Sequence, residues 1–270
     1  MGSPLDDIQF LADSENRVTA MAELAAGPRT RPELRDATAA SNATISRLLR
    51  AFENRGWVTG SRGRYQLTEL GAYVAEAFGE FHGRMTTASD LQSLLPVLPL
   101  ERLGLDIEAF AGAKITKSTS SDPLAAMVRL RELELGSLES RGLSSLFPEP
   151  CIDARHAAVV EGSQRLETVV SPPVVEAALS SEFGHKFVEL VDADESDIYV
   201  YTGTIELLGA INDGTACLAL IHGERLALVE TSNPAVVGAM SDAFEEYRSQ
   251  STPLTTDSLR RTYESAAVLR

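Results

Sequence analysis

The sequence predicts a mixed α+β protein made of two dissimilar parts and a helical connector. In the first part, three helical patterns are followed by a pattern of two short strands and a turn. Beyond about residue 105, short apolar runs alternate with longer helical patterns, which is typical of a sheet covered by helices. With 270 residues, of which 44% are apolar, the chain is long enough for two domains that each bury a core.

These observations predict four segments. Residues 1–82 form the first domain, 83–112 the helical connector, 113–252 an α/β domain with a mixed sheet, and 253–270 a C-terminal tail. No apolar run is long enough to cross a bilayer, and the first residues lack the order of a signal peptide. We therefore expect a cytoplasmic protein without a membrane partner.

Capping residues and helix breakers mark the three helices of the first domain. Ser14 is expected to cap a helix at 15–26, which Gly27 and Pro28 end. Thr30 is expected to cap the second helix, which has a proline in its first turn. Ser41 or Asn42 is expected to cap the third helix, whose apolar residues fall on one face: Ile45, Leu48, Leu49 and Phe52.

A glycine-containing turn separates the two strands that follow. Gly56 ends the third helix as a left-handed cap, and Trp57 and Val58 begin the first strand. The segment GSRGR at 60–64 leads into the second strand, after which Thr68 is expected to cap another helix. Helices and a hairpin in this order predict a winged helix-turn-helix domain.

Positive charge is concentrated in this domain, although the chain as a whole is acidic. Residues 28–65, here called the basic region, contain eight arginines against three carboxylates, which is a local charge of +5. Because the whole chain carries −15, the remainder sums to −20. A local basic region in an acidic background is typical of a surface that binds phosphates.

The basic region predicts double-stranded DNA as a partner. Ser, Asn and Thr can donate to phosphates or base edges, and Arg can bind guanine or phosphate with two parallel bonds. We expect arginines 29, 31, 62 and 64 to bind phosphates and the third helix to approach the major groove. The residues expected to contact DNA are Arg29, Arg31, Ser41, Asn42, Thr44, Ser46, Arg47, Arg50, Arg62 and Arg64. Two alternatives are a capped helix with a solvated polar face and a winged helix that binds protein, although a protein-binding module needs no basic face.

The sequence resembles haloarchaeal winged-helix transcriptional regulators with an extended C-terminal effector domain. The matching stretches are PLDDIQFLADSENRVTAMAELAAGPRTRPELRDATAASNATISRLLRAFENRGWV, YQLTELGAYVAEAF, SDPLAAMVR, EPCIDARHAAVVEG and AFEEYR. The resemblance implies that the helix at 42–54 is the recognition helix and that 58–67 is the wing. It implies a regulator whose effector domain is of the methanogenesis-regulator type, similar to a phospholipase D domain without catalytic residues. A halophilic source agrees with the acidic composition, in which Lys occurs only at positions 114, 117 and 186.

The connector carries an apolar helical face with two alternative partners. The face recurs from Leu70 to Phe81 and continues at Leu91, Leu94 and Leu95, before prolines interrupt it. A long helix that leaves a winged helix can pair with its twin, and such a homodimer would read a pseudo-palindrome about one DNA turn long. Alternatively, the face packs on the chain's own effector domain. We favour the homodimer slightly.

The C-terminal part is predicted to contain six strands and four helices. The strands are expected at 114–117, 142–147, 166–170, 198–201, 216–221 and 225–229, and the helices at 122–139, 151–161, 173–190 and 234–249. Ligands of open α/β sheets bind outside the carboxyl ends of the strands. The residues at these ends are candidates for a small-molecule effector site: Ser120, Ser121, Asp122, Ser171, Tyr201 and Thr202. Ordinary helix capping explains the Ser-Ser-Asp-Pro segment equally well.

No pattern of residues predicts catalysis, a metal or a cofactor. Cys151 and Cys217 each have a histidine five positions later, a spacing that turns the two side chains away from each other on a strand or a helix. The phosphodiesterase motif needs His, one spacer and Lys, whereas His185 is followed directly by Lys186. The sequence therefore favours a DNA-binding regulator that responds to a small molecule. The alternative from another class is an enzyme, phosphodiesterase-like or metabolite-modifying, with a regulatory winged helix.

Overall fold

The computed structural model describes residues 3–146, 149–223 and 225–263, and the chain divides between Thr86 and Thr87 into two compact units. The elements of the N-terminal unit are α1 Pro4–Ala12, α2 Glu15–Ala25, β1 Arg29–Thr30, α3 Arg31–Thr38, α4 Asn42–Asn54, β2 Val58–Ser61, β3 Arg64–Leu67 and most of α5 Glu69–Leu91. Its antiparallel sheet has the order β1-β3-β2. The predicted winged helix-turn-helix is therefore confirmed, and the additional helix α1 precedes it in the sequence.

One apolar core holds the N-terminal unit together. Helices α2, α3 and α4 and the start of β2 bury Leu24, Leu34, Leu49, Phe52 and Trp57, all at most 3% exposed. The apolar face predicted for the third helix is the face that α4 buries. Since one face of α4 is used for this core, its opposite face is left for solvent or a partner.

Short-range capping agrees with the sequence except at Ser14. Thr30 and Glu33 form a reciprocal capping box, and the Ser41 side chain accepts from the backbone N–H of Thr44. Gly56, with φ of 71°, follows the last turn of α4 in the left-handed conformation. The side chain of Ser14 makes no capping hydrogen bond, and only its backbone carbonyl accepts from α2. Ser14 therefore occupies the predicted N-cap position of α2 but caps the helix through its backbone alone.

The C-terminal unit is built around an eight-stranded mixed sheet of order β11-β7-β6-β5-β8-β9-β10-β4. Strands β5, β6 and β7 are parallel to one another, and the remaining pairs are antiparallel. The strands are β4 Lys114–Lys117, β5 Glu139–Ser144, β6 Arg165–Val170, β7 Ser196–Val200, β8 Gly209–Asn212, β9 Thr215–His222, β10 Arg225–Thr231 and β11 Thr252–Pro253. The helices are α6 Leu100–Leu103, α7 Ala125–Gly136, α8 Glu149–Val159, α9 Pro172–Ser180, α10 Gly184–Asp192, α11 Pro234–Ser249 and α12 Thr256–Tyr263, with a 3-10 turn at Ile107–Phe110.

Helices cover both faces of this sheet. One face packs against α7, α8, α9 and α10 through residues such as Leu166, Ile198 and Phe187. The other face packs against α11 and against residues 91–110. Alternate residues of a strand point to opposite faces, so Leu166 and Val169 of β6 belong to different clusters.

The structure confirms the predicted mixed sheet and corrects several of its elements. Strand β5 begins at Glu139, three residues before the predicted start, and the predicted end at 147 lies outside the described residues. The helix predicted at 173–190 is two helices, because the chain turns at 181–183, where the Ser181 hydroxyl accepts from the N–H of Phe183. The helix predicted at 122–139 is shorter and spans Ala125–Gly136. Strand β8 was not predicted.

The connector and the predicted tail both contribute to the core of the C-terminal unit. Leu91, Leu94 and Leu98 are buried in the cluster that contains α11, so this part of the apolar face packs on the C-terminal domain. Strand β11 pairs with β7, and Leu254 and Leu259 pack with α9 and α10. Over its described residues, the segment predicted as a tail is therefore part of the domain. No helix among the described residues is long and apolar enough to cross a membrane.

Candidate nucleic-acid interface

Helix α4 presents a polar face opposite its buried one. Asn42, Arg47 and Arg50 are exposed, and Thr44 and Ser46 are half-buried. The helical repeat of 3.6 residues places Asn42, Ser46 and Arg50 within about 80° of one another, with Arg47 about 60° further round the axis. These four of the five side chains predicted to approach DNA from this helix share one face, and Thr44 lies at its far border.

The hydroxyl of Ser41 fixes the start of α4. It accepts from the backbone N–H of Thr44 at 3.2 Å and lies 3.0 Å from the Thr44 hydroxyl. Ahead of it, Ala39 has φ of 54° and ends α3 in the left-handed conformation. The turn between α3 and α4 is therefore only three residues long, which sets the angle at which α4 is presented.

The wing, residues 58–67, is a hairpin with a two-residue turn. Ser61 pairs with Arg64, and both central residues have positive φ, 51° at Arg62 and 82° at Gly63. This combination is that of a type I′ turn, whose twist matches that of the flanking strands. It places the exposed side chain of Arg62 at the tip.

Two further arginines are Arg64, within the wing, and Arg31, beside it. Arg64 donates to the backbone carbonyl of Pro28 at 3.0 Å, and the guanidinium of Arg31 lies 5.5 Å from the centre of the Tyr65 ring. Arg64 also interacts electrostatically with Glu33, whose pKa is held below the ordinary value mainly by the backbone N–H of Thr30, which donates to the carboxylate. The contacts with the Pro28 carbonyl and the Tyr65 ring orient Arg64 and Arg31, and neither arginine forms an ion pair among the described residues.

Three arginines of the basic region are paired with carboxylates. Arg29 lies 2.8 Å from Glu23, Arg35 lies 2.6 Å from Asp36, and Arg55 lies 3.1 Å from Asp7 while stacking on Phe10. Among the described residues, no carboxylate forms an ion pair with the other five, which are Arg31, Arg47, Arg50, Arg62 and Arg64. The free positive charge of the region is therefore carried by α4, the wing and the start of α3.

Thr59 and Gln66 extend the polar surface but were not among the predicted contacts. They pair across the wing and are both exposed. The alternation in β3, where buried Tyr65 lies between exposed Arg64 and Gln66, is the sequence signal that could have identified them.

The first group of predicted effector residues forms an exposed loop after β4. Ser120 accepts from Arg225 at 2.7 Å, and the Thr119 hydroxyl accepts from the backbone N–H of Asp122. Helix α7 begins at Ala125, after Leu124, which makes no side-chain cap. Residues 120–122 therefore do not cap α7, and the alternative explanation of this segment by helix capping is wrong. Their role in effector binding stays a prediction.

The second group follows β6 and β7, far from the first. Ser171 is buried ahead of α9 without a capping bond, Tyr201 packs edge-on against Tyr247 at 5.2 Å, and Thr202 is exposed. Strands β6 and β4 are five places apart in the sheet, which corresponds to about 24 Å at the usual strand spacing. The six predicted effector residues therefore do not form one site.

Three groups with catalytic potential, the two cysteines and Lys186, are buried or paired. Burial raises the pKa of the Cys217 thiol to about 12, and it also raises the pKa of Cys151. Lys186 forms an ion pair with Asp153, and no cluster of metal-ligating side chains occurs in the described part of the chain. Protonated thiols are poor nucleophiles, so neither cysteine is prepared for covalent chemistry.

Two family models match the chain, one in each unit. Residues 5–90 match the HVO_A0261 N-terminal domain, and residues 123–250 match the middle domain of the methanogenesis regulatory protein FilR1. The chain therefore carries one stretch similar to each of these two domains. The resemblance predicted from the sequence is confirmed, and the FilR1-type domain begins within the segment that leads into α7.

The solved structures that match the chain share little sequence with it. The archaeal chromatin protein TrmBL2, described with a novel mode of DNA binding, is 15% identical, with 93% of this chain and 100% of that chain covered and a TM-score of 0.43. The phospholipase D family member Nuc from Salmonella typhimurium is 9% identical, with 54% and 99% covered and a TM-score of 0.42. The methyltransferase CalO1 of calicheamicin biosynthesis is 18% identical, with 76% and 68% covered and a TM-score of 0.21. No curated protein matches, and likenesses with such TM-scores carry no functional conclusion.

Proposed function

We propose that the chain is a sequence-specific, DNA-binding transcription regulator of the cytoplasm. Helix α4 lies in the major groove, where its polar face meets the base edges: Asn42, Thr44, Ser46, Arg47 and Arg50. Arg31, Arg62 and Arg64 contact phosphates, and Ser41 holds the start of α4. Arg29 contributes less to DNA binding than the other arginines, because its charge is neutralised by the ion pair with Glu23.

The observation that carries this proposal is the placement of unpaired arginines. A chain with a net charge of −15 is repelled by DNA unless one surface is locally positive. Within the basic region, the five arginines without a carboxylate partner among the described residues lie on α4, the wing and the start of α3, which are the parts of a helix-turn-helix domain that meet DNA. The membership of the C-terminal unit in the FilR1 middle-domain family supports a regulatory role.

A homodimer forms part of the proposal. Leu70, Tyr73, Phe81 and Met85 recur along α5 and are each more than half exposed. Exposed apolar side chains aligned on one helix mark an interaction surface, and a second copy of the chain is the partner that would place two α4 helices on a pseudo-palindrome. The C-terminal unit binds a small-molecule effector, which must favour one of two states with different DNA affinity.

The proposal includes no enzymatic activity. The buried thiols with raised pKa values and the ion-paired Lys186 support this view. The runner-up, a phosphodiesterase or metabolite-modifying enzyme, would need a nucleophile or base that reaches solvent in the C-terminal unit.

DNA selection with the full chain tests the proposal. Fragments of genomic DNA are selected on the purified protein, and the affinity for the best fragment is then measured at several salt concentrations. Arg47→Ala is expected to cost about 1–3 kcal/mol on the selected site and less on unrelated DNA, because it removes a base contact. Arg64→Ala is expected to weaken all sequences alike and to reduce the salt slope by about one unit, because it removes a phosphate contact.

Arg165→Ala provides a control with the same change in net charge. Arg165 is exposed on β6 and pairs with Glu195 and Asp197, outside the basic region. Its loss is expected to leave DNA affinity unchanged. Equal affinities of Arg47→Ala and Arg165→Ala for the selected fragment, or no enriched fragment at all, would contradict the docking of α4.

A further inference from the structure

A cavity of about 380 Å³ lies inside the C-terminal unit, between the sheet and helices α7, α8, α9 and α10. Protein interiors are close-packed, with few voids larger than a water molecule, whereas sites for small molecules usually measure about 300–1,000 Å³. The exposed side chain of Leu146 is among the lining residues, so the space reaches the surface at the end of β5. A space of this size in a domain core is a candidate binding site.

Small residues on the sheet keep this space open. Gly142 of β5 and Ala210 of β8 form part of the floor, and Leu130, Ile152 and Phe187 line the helix side. A Cβ atom at Gly142 would meet its nearest neighbours at 3.5–3.6 Å, which is ordinary contact. Backbone geometry therefore does not demand glycine here, and a larger side chain would project into the cavity.

One corner of this apolar cavity is polar. Glu134 and Arg155 are among the lining residues and form an ion pair at 3.0 Å, with side chains 4% and 19% exposed. Glu134 Oε2 and Arg155 Nη1 are buried without a hydrogen-bond partner. A buried polar atom without a hydrogen-bond partner destabilises the folded protein, so a ligand group that bonds to both atoms would remove this cost.

The charges at this corner define the ligand class. The carboxylate and guanidinium compensate each other, so a charged head group would bring an unpaired charge into an apolar space. The free Oε2 accepts a hydrogen bond and the free Nη1 donates one. A hydroxyl or a carboxamide does both while remaining neutral.

We propose that this cavity binds a neutral, largely apolar small molecule whose single hydroxyl or carboxamide group bonds to Glu134 and Arg155. The chemistry disfavours phosphorylated or carboxylated ligands, because their charge would have no counter-charge in the cavity. The use of this ligand as the effector rests on the proposed function, whereas the binding itself does not.

Binding is tested on the full chain with N-phenyl-1-naphthylamine, a neutral dye that fluoresces in apolar surroundings. We expect saturable binding of one dye per chain and displacement by 1-octanol, with octanoate at least about ten-fold weaker because of its charge. Gly142→Leu is expected to weaken dye binding at least about ten-fold, because the new side chain occupies the cavity. Gly238→Leu is the matched control, since Gly238 is exposed on α11 and a Cβ there meets nothing within 4 Å.

A charge change tests the polar corner separately. In Glu134→Gln the guanidinium of Arg155 loses its counter-charge, so the preference is expected to reverse, with octanoate displacing the dye better than 1-octanol. A merely structural role of the pair would not produce this reversal. Absence of saturable dye binding to the wild-type chain, or dye binding by Gly142→Leu as tight as that by Gly238→Leu, would overturn the site, and the polar corner would then hold water.

The regulatory use of the site has its own readout. Affinity for the selected DNA fragment is measured with and without saturating 1-octanol. If 1-octanol changes the DNA affinity of the wild-type chain but not that of Gly142→Leu, the cavity is supported as the effector site. If 1-octanol binds and DNA affinity does not change, the cavity remains a ligand site and its regulatory use is refuted. Failure of DNA binding itself would concern only the proposed function.

Discussion

Gly71 is expected to be indispensable for the stability of the N-terminal unit. It lies in the first turn of α5, where a Cβ atom would come within 1.8 Å of the Trp57 carbonyl oxygen. In Gly71→Ala the two segments must separate until this distance reaches at least 3.0 Å, a shift of about 1.2 Å. Unlike a flexible side chain, the backbone of Trp57 cannot move aside without carrying β2 with it.

The shift would also break the contacts that join α5 to the end of α4. The backbone N–H of Thr68 donates to the Trp57 carbonyl at 2.9 Å, and its hydroxyl donates to the Gly56 carbonyl at 2.6 Å. Each of these hydrogen bonds contributes about 1 kcal/mol, and overpacking adds about 1–3 kcal/mol. Gly71→Ala is therefore expected to lower the free energy of unfolding by about 3–5 kcal/mol, which for a unit of this size corresponds to at least about 12 °C in Tm.

The intrinsic fluorescence of the chain measures this change in the right unit. Trp57 is the only tryptophan and is 3% exposed, so its emission reports the unfolding of the N-terminal core within the full chain. Gly79→Ala in the same helix is the matched control, because its Cβ would meet nothing within 4 Å. In this control the free energy of unfolding is expected to rise by about 0.5–1 kcal/mol, because alanine has a higher helix propensity than glycine. If urea titrations give Gly71→Ala and wild type free energies of unfolding that agree within about 0.5 kcal/mol, the close approach of α5 to Trp57 is refuted.

Two further predictions concern the turn before α4 and a buried ion pair. Ala39→Gly is expected to stabilise the N-terminal unit by up to about 1 kcal/mol, because a Cβ atom is unfavourable in the left-handed conformation of Ala39. A urea midpoint below that of the wild type, measured by Trp57 fluorescence, would contradict this prediction. In the C-terminal unit, Arg129 donates two bonds to buried Glu230 and holds the pKa of this carboxyl below its ordinary value of 4.5. Because the folded-state pKa is lowered, the ionised carboxylate stabilises the fold above pH 4.5, and this stabilisation is lost as pH falls through the folded-state pKa. Glu230→Gln should therefore make the free energy of unfolding, measured by circular dichroism, fall less steeply towards acid pH. Parallel wild-type and variant profiles would count against this prediction.

The predictions that held in the N-terminal unit rest on short-range patterns. The capping box of Thr30, the cap at Ser41 and the turn at Gly56 each depend on partners within a few residues. The apolar face of α4 follows from helical spacing alone. A sequence contains these signals in full, because both partners occur in the same window of the chain. Ser14 shows the limit, since a suitable residue at a suitable position need not form the bond.

The C-terminal unit was harder to predict because its elements depend on distant partners. Strand β8 is only four residues long and is held between β5 and β9, which no local pattern reveals. The ends of β4, β6 and β7 looked alike in the sequence, but the strand order separates β4 from the other two by most of the sheet. The predicted effector residues were therefore assembled from positions that do not meet.

The sequence by itself determined the winged helix-turn-helix, the basic region and the family resemblance, because caps, turns, helical spacing and local charge are properties of neighbouring residues. The tertiary structure alone decided which arginines remain unpaired, as for Arg55, whose partner Asp7 lies 48 residues away. It also decided that Glu134 and Arg155 share a buried corner of a cavity. Enclosed volume and unsatisfied hydrogen bonds arise only when separate elements pack together, so they leave no signature in the order of residues along the chain.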